Sequence, residues 1–171
     1  MKKFILSLMF LLQLSLSFGQ GPNATVLAVH DGDSYKVKLD SVDKPFWIRL
    51  WGVDCPEVRS NYVSASQRYG VEIGDTVRQM IKNQRVYVDT LYRDLYNRVV
   101  AKVYFGEIDM TPYLVQNGFA WYSASKQMDK YQRDALKELQ KQAKKNKIGL
   151  WADNQRIISP STFRKRNKAK N

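Results

Sequence analysis

The chain has 171 residues, carries 28 Lys and Arg against 16 Asp and Glu, and has a formal net charge of +12 at pH 7. Its single cysteine excludes an internal disulfide, and its length is that of one ordinary domain with one core. The basic excess favours a polyanionic partner, with nucleic acid first and acidic lipids or cell-wall polymers as the alternative.

The first 19 residues have the pattern of a signal peptide. Two lysines precede an apolar run from Phe4 to Leu16, and Ser17 and Gly19 fit the positions before a cleavage site. This run is shorter than the roughly 20 residues that a membrane span needs, and no later apolar run approaches that length. We therefore expect residues 1–19 to be removed on export, which leaves a soluble protein of 152 residues with a net charge of +10.

The rest of the chain divides into a domain over residues 20–158 and a basic tail over residues 159–171. The tail is rich in cations and poor in apolar residues, so the sequence predicts that it is disordered. Its cationic residues are Arg164, Lys165, Arg166, Lys168 and Lys170.

Two predicted strands, Thr25–Val29 and Ser34–Leu39, flank a turn that contains Asp31, Gly32 and Asp33. Apolar and polar residues alternate along the second strand with period two, and this parity places Asp33 on the face turned toward the core. Burying a carboxylate alone costs several kcal/mol, so Asp33 should be hydrogen-bonded or metal-bound. An ordinary hairpin turn is the alternative interpretation of this segment.

A second acidic turn follows the predicted strand Pro45–Trp51. Asp54 and Glu57 flank Pro56, which stiffens the backbone and holds the segment extended. Carboxylates fixed in this way suit a hard cation and a water molecule, although Asp- and Pro-rich turns are often merely solvated. Arg49, five residues before Asp54, is expected to lie over the same turn.

Cys55 lies within that turn, and a catalytic thiol is an alternative to a carboxylate site. The only histidine of the chain, His30, would have to serve as its base. The sequence favours a carboxylate site over this alternative.

The second half of the chain adds helices and two more strands. A helix is predicted over Gln67–Asn83 with an apolar stripe, and the strands Arg85–Leu91 and Arg98–Phe105 follow. A short helix is predicted with Asp109 or Thr111 as its N-cap, and Phe119–Lys126 reads as a loop or short strand. A long helix is predicted from Asp129 to about Lys147. The apolar stripes of the two longer helices are Val71, Ile73, Val77, Met80 and Ile81 in the first, and Tyr131, Ala135, Leu136, Leu139 and Ala143 in the second.

Five short strands with interspersed helices predict an α+β fold, an OB-type five-stranded β-barrel with about three α-helices. The surface of such a barrel commonly binds oligonucleotides.

Three separated motifs occur together, and their combination resembles the staphylococcal nuclease (thermonuclease) family. They are Asp31-Gly32-Asp33-Ser34, the segment from Arg49 through Val53-Asp54-Cys55-Pro56-Glu57, and Tyr96-Asn97-Arg98. The resemblance extends over about residues 26–151. It implies an OB-type barrel with three helices and Ca²⁺-dependent cleavage of DNA and RNA phosphodiesters.

The resemblance also implies residue roles. Asp33 and Asp54 would bind Ca²⁺ directly, together with the backbone carbonyl of Cys55, while Asp31 would act from the outer shell through water. Glu57 would hold the attacking water as general base.

Three further residues would contact the substrate according to the same resemblance. Arg49 and Arg98 would clamp the scissile phosphate, and Tyr96 would lie beside the terminal phosphate or nucleotide. Mg²⁺ or Mn²⁺ are alternative metals.

The chain departs from the family pattern at three places. Cys55 stands where the reference enzyme has threonine, and Leu95 stands where it has a lysine that contacts phosphate. The tyrosine-bearing loop that covers the base does not align cleanly with residues 121–126. These departures concern substrate preference rather than the reaction centre.

We therefore expect an exported, metal-dependent nuclease that acts on DNA and RNA, has no membrane span and no obligate protein partner, and is monomeric. The alternatives are a noncatalytic OB-type nucleic-acid-binding module, and a basic protein that coats anionic lipid or wall polymers.

Overall fold

The computed structural model describes residues 21–125, 127–152 and 157–169. The predicted signal peptide over residues 1–19 lies outside the described residues, as do Lys126 and the last two residues of the basic tail.

Five strands form a closed barrel. They are β1 (Ala24–Asp31), β2 (Ser34–Leu39), β3 (Phe46–Leu50), β5 (Arg85–Arg93) and β6 (Val99–Phe105). The sheet order is β3-β2-β1-β5-β6, and a parallel pairing between β3 and β6 closes it, whereas the other neighbours in the barrel are antiparallel. This arrangement confirms the predicted OB-type barrel.

Three two-residue strands complete the β structure. β4 (Val53–Asp54) pairs with β8 (Trp121–Tyr122) outside the barrel, and β7 (Ile108–Asp109) extends β6. Because β4 follows β3 after a two-residue turn, the acidic segment that begins at Asp54 is held against the barrel.

The barrel interior is filled by the alternating apolar residues that the sequence predicts. Tyr35 and Val37 are fully buried, whereas Lys36 and Lys38 of the same strand are half-buried or exposed. Burial of each such large apolar side chain contributes about 1.5–3 kcal/mol. The register between β1 and β2, which a two-residue loop connects, is therefore fixed, since a slip by one residue would turn these side chains outward.

Helix α1 (Gly70–Ile81) covers one end of the barrel through Ile73, Val77 and Ile81, which recur every four residues. It begins three residues later than predicted because Tyr69 adopts a left-handed conformation with φ 66°. Val71 was predicted on the buried stripe, and that prediction is wrong: its side chain is exposed, since it lies a half-turn from the barrel-facing residues.

Two further helices stand where the sequence predicts them. Helix α2 (Met110–Gln116) has Asp109 as its N-cap, and helix α3 (Lys130–Lys145) begins with a capping box between Asp129 and Gln132. A 3-10 turn, Gly149–Ala152, follows α3. Tyr131 was expected in the buried stripe of α3 but is 85% exposed, because it lies roughly 140° around the helix from Leu136, one of the buried residues of α3.

The basic tail contains a helix, so the prediction of disorder is wrong for its described part. Helix α4 (Pro160–Arg166) has Ser159 as its N-cap, whose hydroxyl accepts a hydrogen bond from the backbone amide of Thr162. The amide of Ser64 donates to the Asn167 carbonyl (2.8 Å), and the amide of Ala169 donates to the Tyr62 carbonyl (3.1 Å). These backbone hydrogen bonds tie the tail to the loop before α1.

Across the three described ranges, no helix combines the length and the apolar character that a membrane-spanning segment requires.

Candidate active site

Four carboxylates from two separate turns converge at one end of the barrel. Asp31 and Asp33 come from the β1–β2 turn, and Asp54 and Glu57 come from the segment that begins with β4; all four are buried. The backbone amide of Cys55 donates to Oδ2 of Asp33 (2.6 Å), which joins the two turns directly. The expectation that Asp33 faces inward and is hydrogen-bonded is confirmed.

Gly32 permits this close approach. A Cβ placed on Gly32 would lie 2.6 Å from Sγ of Cys55 and 3.0 Å from Cγ2 of Ile73. Any larger residue would push the two acidic turns apart, so the glycine between Asp31 and Asp33 is a requirement of the packing.

Arg49 bridges the acids from strand β3. Its Nη1 lies 2.5 Å from Oδ1 of Asp33, and its Nη2 forms an ion pair with Oδ1 of Asp54. Strand pairing explains its position, since Arg49 is in register with Ser34, the residue after Asp33. The expectation that Arg49 lies over the acidic turn is confirmed.

Glu57 is positioned by Gln67, a residue that no sequence motif indicates. The amide of Gln67 donates to the Glu57 carbonyl (2.7 Å), and Oε1 of Gln67 accepts from the Glu57 amide (3.3 Å). Gly70, at the start of α1, packs so closely on the Glu57 carbonyl that a Cβ there would overlap it. A buried glutamine in a polar loop gives no sequence signal, because its partners are backbone groups of Glu57 and Ile158, which are distant from it in the sequence.

A second arginine in contact with the acids comes from helix α4. Nη1 of Arg164 lies 2.8 Å from Oδ1 of Asp54 and 2.5 Å from Oε1 of Glu57, and its Nη2 lies 3.1 Å from Oδ2 of Asp54. The sequence predicts Arg164 only as part of a disordered tail. The contact joins residues more than a hundred positions apart, so no local pattern could have indicated it.

Arg98 and Tyr96 lie in the β5–β6 turn rather than on the acids. The Arg98 guanidinium pairs with Asp94 (2.6 Å) and lies over the Tyr96 ring at 5.5 Å from its centre. In the described parts of the chain, no hydrogen bond or ion pair joins Arg98 to the acidic cluster. Arg49 is in register with Val100, two residues beyond Arg98, so Arg98 and Arg49 share one face of the barrel wall.

Burial is the largest influence on the pKa values of Asp31, Asp33 and Glu57. It raises the pKa of Asp33 well above the usual range and raises the pKa of Asp31, with the Arg49 charge opposing both shifts. Burial also raises the pKa of Glu57, and the hydrogen bond from Arg164 opposes that shift. For Arg49 the balance of the two effects is reversed. Burial alone would lower its pKa, but the charges of Asp33 and Asp54 outweigh burial and hold the pKa above the usual range.

Cys55 does not have the surroundings of a reactive thiol. Its side chain is 1% exposed, and burial together with the charges of Asp33 and Asp31 raises its pKa well above the usual value. A nucleophilic cysteine needs a lowered pKa and access to the substrate. The proposed base of that alternative, His30, packs edge-to-face against Trp47 instead.

The cluster has the donor set of a hard-cation site. When ionised, its four carboxylates face two guanidinium groups, so two negative charges remain in excess, and every carboxylate donor is an oxygen, as Ca²⁺ and Mg²⁺ prefer. No group of three or more His, Cys, Asp or Glu side chains in the described ranges is arranged as a ready metal cage. Three of the carboxylates, those of Asp33, Asp54 and Glu57, instead pair with Arg49 and Arg164.

Comparison with known proteins gives one family. The sequence model of the family described as "Staphylococcal nuclease homologue" matches residues 47–153. Thermonuclease of Staphylococcus hyicus is 33% identical over 131 residues, which cover 75% of this chain and 75% of that protein. An "uncharacterized endonuclease" of Haemophilus influenzae is 31% identical over 144 residues, covering 84% of this chain and 73% of that protein.

A further relative is longer than this chain. "Probable endonuclease LCL3" of Komagataella phaffii is 34% identical over 131 residues, which cover 72% of this chain but 56% of that protein. The match thus spans a little over half of the Komagataella protein.

Proposed function

The chain belongs to the staphylococcal nuclease family, and we propose that it hydrolyses phosphodiester bonds of DNA and RNA with the help of a bound divalent cation, Ca²⁺ in the first place. The observation that carries the proposal is the convergence of Asp33 and Asp54 from two turns on the guanidinium of Arg49, with Glu57 buried next to them and linked to Asp54 through Arg164. The relatives named endonuclease and thermonuclease support nuclease chemistry.

The cation would be held by the carboxylates of Asp33 and Asp54 and the backbone carbonyl of Cys55, with Asp31 acting through water. When bound, a divalent cation supplies Lewis-acid stabilisation to a phosphate oxygen. An all-oxygen donor set suits Ca²⁺ better than Zn²⁺, and Mg²⁺ or Mn²⁺ would fit the same donors. Cys55 in place of threonine leaves the main-chain donor unchanged.

Glu57 would take the proton of the attacking water. A general base works best when its pKa lies near the working pH, and burial shifts the pKa of Glu57 upward in that direction. Gln67 and Gly70 fix the Glu57 backbone on both sides, so the carboxylate has a defined direction.

Arg49 and Arg98 would stabilise the charge that develops on the phosphate oxygens. Each guanidinium is planar, permanently charged and suited to two parallel hydrogen bonds. The loss of one such donor typically costs about 2.7–4 kcal/mol of transition-state stabilisation. Arg98 is held by a half-exposed ion pair with Asp94, so its transfer to a phosphate costs little.

Substrate attraction would come from the basic surface, and Tyr96 would lie beside the terminal nucleotide. Tyr96 is 81% exposed next to Arg98, as a stacking residue must be. Leu95 is fully exposed, where a lysine would add a phosphate contact. We further propose that the protein acts as a monomer after export, where extracellular Ca²⁺ can fill a weak site.

The test is the digestion of DNA and RNA polymers by purified protein in Ca²⁺, Mg²⁺, Mn²⁺ or EGTA, followed by end-group analysis of the products. The proposal predicts cleavage in Ca²⁺ that EGTA abolishes. Absence of products with every divalent cation would refute it, and binding that persists in EGTA without products would favour the noncatalytic module.

A variant pair assigns the role of Glu57. Glu57→Gln should reduce turnover by at least about 100-fold with little change in DNA affinity, since general base catalysis contributes about 10²–10⁴-fold. Glu107→Gln removes an exposed acid in the β6–β7 turn and should leave turnover unchanged. An equal loss of turnover and DNA affinity in Glu57→Gln would count against a role as base.

A further inference from the structure

Arg164 uses the same carboxylate oxygens that a cation would need. Oδ1 of Asp54 faces both Arg49 and Arg164, and Oδ2 of Asp54 faces Arg164 at 3.1 Å. The same guanidinium reaches Oε1 of Glu57 at 2.5 Å. Both oxygens of one expected cation ligand are therefore hydrogen-bonded by a residue of the C-terminal helix.

This contact is built into the fold. Ser159 caps α4, Pro160 starts it, and the Ile158 carbonyl accepts a hydrogen bond from Nε2 of Gln67 at 2.8 Å. Gln67 also binds both backbone groups of Glu57, so one residue connects the helix to the expected base. The position of α4 is therefore fixed, and it places Arg164 in contact with the acids.

The carboxylates of the site outnumber its guanidinium groups, and Arg164 neutralises part of the negative charge. With Arg164 in place the ionised cluster keeps two negative charges in excess, and without it three. A divalent cation and the guanidinium thus neutralise the same carboxylates, and neither can use the Asp54 oxygens fully while the other is bound.

We propose that Arg164 is a built-in competitor of the divalent cation: docking of α4 onto Asp54 and Glu57 and loading of the cation oppose each other. The Arg164 guanidinium would then occupy the carboxylates of Asp54 and Glu57 until a metal ion displaces it. This inference rests on the proposed cation site. It adds that the affinity of that site is set by a residue outside the barrel.

Linkage gives the inference a measurable consequence. If the cation weakens the docking of Arg164, then Arg164 must weaken the binding of the cation by the same factor. Removing the Arg164 guanidinium should therefore tighten cation binding. Loss of a residue that contacts a binding site would ordinarily be expected to weaken binding.

The experiment is isothermal titration of Ca²⁺ into the wild-type chain and into Arg164→Gln, without nucleic acid. Coupling energies between sites typically change affinity about 5- to 150-fold, and we expect Arg164→Gln to bind Ca²⁺ more tightly within that range. Lys165→Gln is the matched control, because it removes one positive charge from an exposed neighbouring position of the same helix. Its affinity should stay within about twofold of wild type, because exposed charges are strongly screened by salt.

A second variant guards against loss of folding. Ser159→Ala removes the N-cap of α4 but keeps the Arg164 charge, so it should tighten Ca²⁺ binding in the same direction and by a smaller factor. Thermal unfolding in EGTA shows which variants are folded.

The outcomes separate this inference from the proposed function. Unchanged or weaker Ca²⁺ binding in Arg164→Gln, with the wild type still binding Ca²⁺, would overturn the competition and leave the cation site standing. Failure of all folded variants, including wild type, to bind Ca²⁺ would overturn both.

Discussion

Two glycines of helix α1 make a paired prediction about how Glu57 is positioned. A Cβ on Gly70 would overlap the carbonyl oxygen of Glu57 and would lie 2.9 Å from its carbonyl carbon and 3.2 Å from the Pro56 oxygen. All three are backbone atoms, so no side chain can rotate away. A Cβ on Gly74 meets its nearest atom, Cα of Asp31, at 3.4 Å, which is ordinary contact.

Alanine substitution at the two glycines should change the free energy of unfolding in opposite directions. Overpacking costs about 1–3 kcal/mol, and alanine in place of glycine inside a helix gains up to about 1 kcal/mol. Gly70→Ala should therefore lower the free energy of unfolding by about 1–3 kcal/mol, since its gain at the first helical residue is small. Gly74→Ala should raise the free energy of unfolding by up to about 1 kcal/mol. Helix propensity alone predicts that neither substitution destabilises the protein.

Urea denaturation followed by fluorescence measures both values, and turnover on DNA measures the consequence for the site. A displacement of about 1 Å at a catalytic group costs about 100-fold in rate, so Gly70→Ala should lose turnover by that order. Gly74→Ala should retain turnover. If Gly70→Ala is as stable and as active as Gly74→Ala, the packing of α1 against Glu57 does not position the carboxylate.

Three more predictions address the thiol, the two arginines and the pH dependence. Cys55 is buried and burial raises its pKa, so a thiol reagent should label the native protein far more slowly than the denatured one; rapid labelling of native protein would contradict the packing. Arg98→Ala removes a half-exposed ion pair and should change the free energy of unfolding by less than about 1 kcal/mol, while turnover falls about 10²–10³-fold. Arg49→Ala leaves the Asp33 carboxylate without its arginine partner and should lower the free energy of unfolding by about 3–5 kcal/mol, so equal stability losses in the two variants would be inconsistent with the structure. In EGTA the raised pKa values of Asp31 and Asp33 penalise the folded state at neutral pH, so the free energy of unfolding should rise as the pH falls from 7 toward their unfolded value of 3.8. Asp31→Asn should flatten that rise, and denaturation curves showing the opposite slope would contradict the burial of these acids.

The barrel and the acidic turns follow from short-range patterns in the sequence. Period-two alternation along β2 fixes which residues face the core, and the same parity is sufficient to place Asp33 inward. Arg49 follows from the same reasoning, because strand β3 ends just before the turn that carries Asp54.

The parts that the sequence does not predict are long-range contacts. Arg164 reaches Asp54 across 110 positions, and its short helix is stabilised by a cap and by hydrogen bonds to residues 62–67 rather than by an apolar stripe. A run of Lys and Arg residues predicts a solvated tail as long as the acidic residues that it contacts are unknown. The exposure of Tyr131 and Val71 has a different cause, since each lies on the other side of its helix from the buried residues, and a loose apolar periodicity does not fix which side of a helix faces the core.

The proposed activity depends on one geometric claim, that acids from two turns hold a single divalent ion. The most direct measurement is anomalous diffraction from crystals of the protein soaked in Mn²⁺. We expect one peak within roughly 2.0–2.6 Å of carboxylate oxygens of both Asp33 and Asp54, the range of hard-cation contacts. A peak elsewhere, or none at this cluster while the crystal binds Mn²⁺ at other places, would contradict the claim.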